Sequence, residues 1–350
     1  MTCLQLPHKV ADYACPINGL EDMYEWKTGC QLPGYFLMDL SMTGFMYLKQ
    51  KNAPAPRMVF WGSGTGKSQH ELLGDVMGYR WTFSEDTAFS SAWKHVCASV
   101  DRGLPVILGL LDMYHLPYYP KIYHRMHIPQ HYVLLVGYDT ERDVAFVQDN
   151  GQKDVQAVPL SDLKEAWNVN NPGQGKKNTY CVVEFGENIA SLEEIARKVL
   201  KKKADWMLNP PAGFMGISGM RRLAADITNW EKELSPAQMK RCLSDLVMFT
   251  CSVVPMPPQR LLPYPINHTD SHQAVRDRFS SALAELGAQF NQPTWVEATV
   301  PLAESGRLIG RLTDLIVDQL LSGAYDLKVA APLISEIADL EEKAYRLLFQ

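Results

Sequence analysis

HYVLLVGYDTERDVAFVQDNGQ, residues 131–152, holds two short runs rich in β-branched and aromatic residues, YVLLVGY and VAFVQ. DTERD between them is charged and turn-forming, so the pair reads as an antiparallel hairpin. Working outward, VILGLL (106–111) and YCVVEF (180–185) have the same character and are bounded by Gly, Pro, Asp or Asn. SDLKEAW (161–167) reads as a short helix capped by Ser161. From Ser191 onward the signals are mostly helical: SLEEIARKVLKKKADWML, GISGMRRLAADITNWEKEL and SPAQMKRCLSDLVMFTCSV, with Ser191 and Ser235 as N-terminal caps. Leu308, Leu312, Leu315, Ile316 and Leu320 fall at helical spacing and mark a core-facing stripe. NPPAGF and VPMPPQRLLPYP read as proline-rich loops. The expected fold is α+β: a domain with a central antiparallel sheet over residues 1–188, then a mostly helical domain over 189–350, with the boundary near 186–192.

The chain of 350 residues is long enough for two packed domains, and its 46% hydrophobic share is that of an ordinary globular protein. A net charge of −5 gives no overall attraction to nucleic acid, and the basic run RKVLKKK (197–203) reads as a solvated helix face. No apolar segment approaches the roughly 18 residues that cross a bilayer. MTCLQLPHKVADYACP lacks the features of a secretory signal, so a cytoplasmic protein without membrane attachment is expected. Seven scattered cysteines (3, 15, 30, 97, 181, 242, 251) form no CxxC pair, and reduced thiols are expected.

VFWGSGTGKSQH, residues 59–70, has the look of a phosphate-binding loop. That loop needs G-x-x-x-x-G-K-[ST] between a buried strand and a helix, so that successive N–H groups curl around phosphates. Here Trp61 stands where the first glycine belongs, Gly62 is one residue too close, and PAPRMVFW is a poor strand. No nucleotide cofactor is expected. The Gly62–Ser68 loop is left as a flexible segment near the mouth of a cleft.

HLPYYPKIYHRMHIPQH contains His124, His127 and His131 at spacings that could gather three imidazoles around zinc. Pro117, Pro120 and Pro129 break any helix that would align them, and no metal is expected. His131 stands apart because it opens the strand YVLLVGY, while Asp149 ends the neighbouring strand eighteen residues on. Adjacent antiparallel strands could set the two side by side at one end of the sheet. The carboxylate would then fix the imidazole tautomer and leave the other nitrogen as a base. Taken alone, a satisfied buried histidine beside a turn aspartate explains the pair better. Cys15 would supply the missing nucleophile. Ile17, Leu20, Met23 and Tyr24 give helical spacing and Pro16 suits a first helical position, so the thiol would sit at a helix N-terminus that favours a thiolate. A small buried core cysteine is the plainer alternative.

A cysteine opening the first helix, then LDMYHLPYYP (111–120), HYVLLVGYD (131–139), VQDNGQ (147–152) and LSDLKEAW (160–167), resembles papain-like cysteine enzymes, and most closely the butirosin biosynthesis protein H family. GFMGISGMRRLAADITNW (213–230) and HQAVRDRFSSALAEL (272–286) resemble the domain of unknown function that follows in that family. The resemblance implies a papain-like fold and acyl transfer from an acyl carrier protein thioester to a small-molecule amine acceptor. It assigns Cys15 as nucleophile, His131 as base and acid, and Asp149 as the orienting carboxylate. The family cysteine usually follows a histidine, whereas this chain reads Tyr13-Ala14-Cys15-Pro16-Ile17. No cofactor is implied, since phosphopantetheine would arrive on its carrier. A hydrolase using water as acceptor and a non-catalytic binding module are the rival readings, and the oligomeric state is open, a homodimer included.

Overall fold

The computed structural model describes residues 1–10, 17–32, 36–37, 43–53, 55–62, 66–171, 175–251, 253–256, 260–263 and 272–350. The chain divides into two compact units, residues 1–38 with 65–192 and residues 39–64 with 193–350. The second is therefore discontinuous in sequence.

The first unit is built on an antiparallel sheet with strand order β4-β9-β5-β6-β7-β8. These strands are β4 (Tyr79–Ser84), β5 (Val106–Leu111), β6 (His131–Asp139), β7 (Val144–Gln148), β8 (Gln156–Pro159) and β9 (Tyr180–Phe185). A short β1 (Thr2–Cys3) pairs with β6 at Tyr138 and Gly137. β5, buried throughout, and β6, buried at all but one residue, read as continuous apolar runs because both faces are covered. Helix Phe89–Asp101 packs on β5, β6 and β9. Helix α1 (Leu20–Thr28) begins after Gly19, which has φ 77°. A Cβ on Gly19 would lie 2.4 Å from the Leu134 side chain, so both its backbone and its close approach to β6 call for glycine. The helix start expected at Pro16 lies outside the described residues, and the α-helix that they contain begins at Leu20. The last helix of the unit's sheet region spans Leu160–Ala166 with Pro159 at its N-cap, so Ser161 lies inside the first turn rather than capping it.

The second unit combines a hairpin of β2 (Thr43–Lys49) and β3 (Arg57–Gly62) with a set of helices. Polar ties explain why the hairpin belongs there. Asp226, on helix Gly216–Ile227, accepts from Tyr47 and Lys49 and lies 3.3 Å from Arg57 Nε. Trp230 stacks on Tyr47 and donates to its hydroxyl at 3.1 Å. Helix Pro236–Cys251 starts with a reciprocal cap, in which Ser235 N–H donates to Gln238 Oε1 and Gln238 N–H donates to Ser235 Oγ. Helix Pro293–Ser322 buries Leu308, Leu312, Ile316 and Leu320 as its spacing predicts, with Leu315 half-buried.

Two expectations change here. The proline-rich segment read as a loop contains a two-stranded sheet, Val253–Met256 paired with Arg260–Pro263. In the basic run, Lys203 is buried with its ammonium 4.2 Å from the Phe279 ring centroid, because that position falls on the apolar face of helix Leu192–Leu208. Among the described residues no helix is long and apolar enough to cross a membrane.

Candidate active site

Three segments converge at one end of the sheet. β6 begins at His131, which pairs across to Leu111, the last residue of β5. Beyond β5 the chain enters the Asp112–Pro120 loop. On the other side of β6, Leu134 pairs with Gln148 at the end of β7. His131 lies three residues before that rung and Asp149 one after it, so the two approach diagonally rather than face to face. Their side chains close the gap: His131 Nε2 lies 2.7 Å from Asp149 Oδ2.

Both groups are out of water, with 6% exposure for the His131 side chain and none for Asp149. The loop supplies a further partner, since the Tyr118 hydroxyl donates to the same Asp149 oxygen at 2.7 Å. Tyr119 sits edge-on to the His131 ring, with centroids 5.7 Å apart. Burial alone would raise the Asp149 carboxyl, but the His131 charge and the bonds from His131 and Tyr118 outweigh it and hold the group below its usual value. Burial and the Asp149 charge push the Tyr118 phenol well above its ordinary range, so it acts as a donor. The arrangement is a histidine held by an ionised, sealed carboxylate.

The segment after Cys15 is tied to the same strand. Asn18, fully buried, donates from Nδ2 to the Tyr132 carbonyl at 2.9 Å, one residue from His131. Cys15 itself, with Ala14 and Pro16, lies outside the described residues. Four other thiols are disfavoured as thiolates: burial pushes Cys97 and Cys181 up to about 12 and also raises Cys3 and Cys242.

The three histidines at zinc-like spacing are each engaged in other contacts. His127 Nδ1 lies 2.6 Å from Asp112 Oδ2, His124 stacks on Tyr123, and His131 meets Asp149. Among the described residues no group of three or more His, Cys, Asp or Glu side chains is disposed to hold a metal ion. The GKS motif does open a helix, Gly66–Met77, and a six-residue strand, β3, precedes it. That strand belongs to a two-stranded hairpin in the other compact unit, unlike the buried central strand of a phosphate-binding loop. Residues 63–65 of the loop lie outside the described set.

Sequence reasoning passed over Tyr118 and His8. Tyr118 stands in HLPYYP, already singled out, but nothing in spacing tells which tyrosine reaches Asp149. His8 Nδ1 lies 2.7 Å from Asp22 Oδ2 and its Nε2 2.7 Å from the Gln152 carbonyl, in the turn that Asp149 opens.

Residues 14–150 match the family described as butirosin biosynthesis protein H, N-terminal, and residues 161–251 match a domain of unknown function, DUF4872. The order is that of the butirosin biosynthesis protein H N-terminal domain followed by a domain of unknown function. The match spans Cys15, His131 and Asp149 and associates the chain with biosynthesis of the butirosin type. No curated protein matches the chain significantly.

Proposed function

We propose that the protein is a cysteine-dependent acyltransferase of papain-like architecture, moving an acyl or aminoacyl group from a carrier-protein thioester to an amine. The observation that carries this reading is the buried His131–Asp149 pair at 2.7 Å, with Tyr118 on the same carboxylate oxygen. Because Asp149 engages Nε2, Nδ1 is the nitrogen that exchanges protons with the nucleophile. Three peptide units separate Cys15 from Asn18, so the two Cα atoms lie within about 11 Å of each other. Asn18 in turn is bonded to the residue after His131.

In the reaction, His131 takes the Cys15 thiol proton and the thiolate attacks the thioester carbonyl. The tetrahedral adduct collapses, the carrier thiolate leaves with the proton held by His131, and Cys15 carries the acyl group. The amine then attacks this second thioester. His131 accepts the amine proton and returns it to Cys15 as the amide departs. Exchange between two sulfurs is nearly isoenergetic, which suits a thioester donor, and neither a metal nor a nucleotide takes part. Phosphopantetheine belongs to the carrier and enters only with it.

Mass spectrometry after incubation with an acyl thioester tests the reading. The expected result is one acyl adduct on the wild-type chain that is absent from Cys15→Ala, and that is discharged faster by an added amine than by water. No adduct, or an equal adduct on the alanine variant, overturns catalysis through Cys15. Discharge by water alone makes the protein a hydrolase instead.

A further inference from the structure

The N-terminal segment runs beside the hairpin that carries the candidate site. Leu4 N–H donates to the Val136 carbonyl at 2.8 Å, and Gln148 Nε2 donates to the Leu6 carbonyl at 3.3 Å. These bonds deliver His8 to the turn after Asp149. There its ring bridges two elements, with Nδ1 on Asp22 of α1 and Nε2 on the Gln152 carbonyl. The side chain is 9% exposed and that of Asp22 6%.

Both partners accept. The Gln152 carbonyl has no proton to give, so Nε2 must donate. The Asp22 carboxylate already accepts the Lys9 N–H on Oδ1 at 3.2 Å, and its Oδ2 faces Nδ1. A neutral imidazole carries one N–H and serves one of these acceptors, whereas an imidazolium serves both. The groups around the ring agree. Burial disfavours the charge, but Asp22 from α1 and the carbonyls of Gln152 and Asp149 from the turn outweigh it, and the His8 value is raised. Lys9, next in sequence, directs its ammonium to the Leu32 carbonyl at 3.3 Å.

The Gln152 end of this bridge matters because the turn is small. Gln152 N–H donates to the Asp149 carbonyl at 2.9 Å, so fixing Gln152 fixes the backbone that aims the Asp149 carboxylate at His131. We propose that His8 is a positioning residue: as an imidazolium it fastens the Asp149–Gln152 turn to α1, and loss of its proton releases the turn and the aim of Asp149. The structural half of this stands alone, while its effect on proton transfer rests on the acyltransfer reading. Since the folded value lies above the unfolded one, the fastening is complete below the ordinary imidazole range and is lost as pH rises through the raised folded value.

Imidazole nitrogen NMR and amide hydrogen exchange on the full chain test this without any acyl donor, so the outcome is independent of whether Cys15 transfers acyl groups. In the wild type, both His8 nitrogens should stay protonated to a higher pH than in an unfolded imidazole. The exchange protection of the Gln152 amide should fall by about tenfold or more as His8 titrates. His8→Gln should show the lower protection at every pH. In that variant the Nε2–H signal of His131, sharp when Asp149 is well aimed, should broaden. A His8 ring that loses its proton at no higher pH than an unfolded imidazole overturns the proposal. So does Gln152 protection that is the same in both chains, or an unchanged His131 signal. Should His8→Gln not fold, the wild-type titration alone decides, because protection that ignores the His8 titration is sufficient to reject it.

Discussion

His131–Asp149 and His127–Asp112 are the same pair of residue types on one stretch of chain, at 2.7 and 2.6 Å. Their surroundings differ. The His127 side chain is 65% exposed, its ring stacks on Tyr114 at 4.1 Å, and Asp112 spends its other oxygen on the N–H groups of Tyr114 and Ile128. That pair staples a loop with its imidazole in water, although the Asp112 carboxylate is itself largely buried. His131 and Asp149 are sealed, and Tyr118 doubles the hold on the carboxylate. A short histidine–carboxylate distance is thus no mark of a reactive site. What separates the two is the exclusion of water, which makes an ionised carboxylate a strong, fixed partner.

The comparison can be broken most sharply at Asp149. Asp149→Asn keeps the shape but removes the charge that orients His131, so single-turnover acylation of Cys15 should fall by about 10³–10⁴-fold with the near-ultraviolet dichroism retained. A loss smaller than tenfold would make the buried pair no different from the exposed one. Tyr118→Phe should follow, costing about 1–3 kcal/mol in denaturant titrations, since one bond to a buried carboxylate is lost. The same variant should acylate more slowly than wild type but faster than Asp149→Asn. The smallest change belongs to His127→Gln, expected within about 0.5 kcal/mol of wild type and with unaltered acylation. A large effect there would show that the exposed pair does more than hold its loop.

Much of the sheet was legible because apolar strands bounded by turn residues carry their own signal. β5, β7 and β9 coincide with VILGLL, VAFVQ and YCVVEF, and β6 extends YVLLVGY by one residue at each end. Among the strands that escaped notice, β4 (YRWTFS) and β8 (QAVP) are part-exposed and mixed in character, so composition alone does not mark them. The meeting of His131 with Asp149 could be anticipated from the hairpin, although the diagonal approach depends on where the register lands. Tyr118 and His8 were not legible, since each depends on where a loop or terminal segment returns in space. His8 has an ordinary surface-like setting in sequence, LPHKV, and gains its meaning only from two acceptors that lie 14 and 144 residues away. Nor does the sequence disclose that residues 39–64 pack with helices that follow residue 192.

That last arrangement sets a constraint on synthesis. Tyr47 and its partner Asp226 are separated by 179 residues. At about 5–20 residues per second, the hairpin leaves the ribosome roughly 9–36 s before the helix that receives it. A lone two-stranded hairpin is marginal in water, and Phe45, Tyr47 and Val59 are side chains that the finished unit buries. The nascent chain must therefore carry this apolar surface uncovered while the sheet unit is being made on either side of it. A fragment ending at Leu192 would carry it permanently.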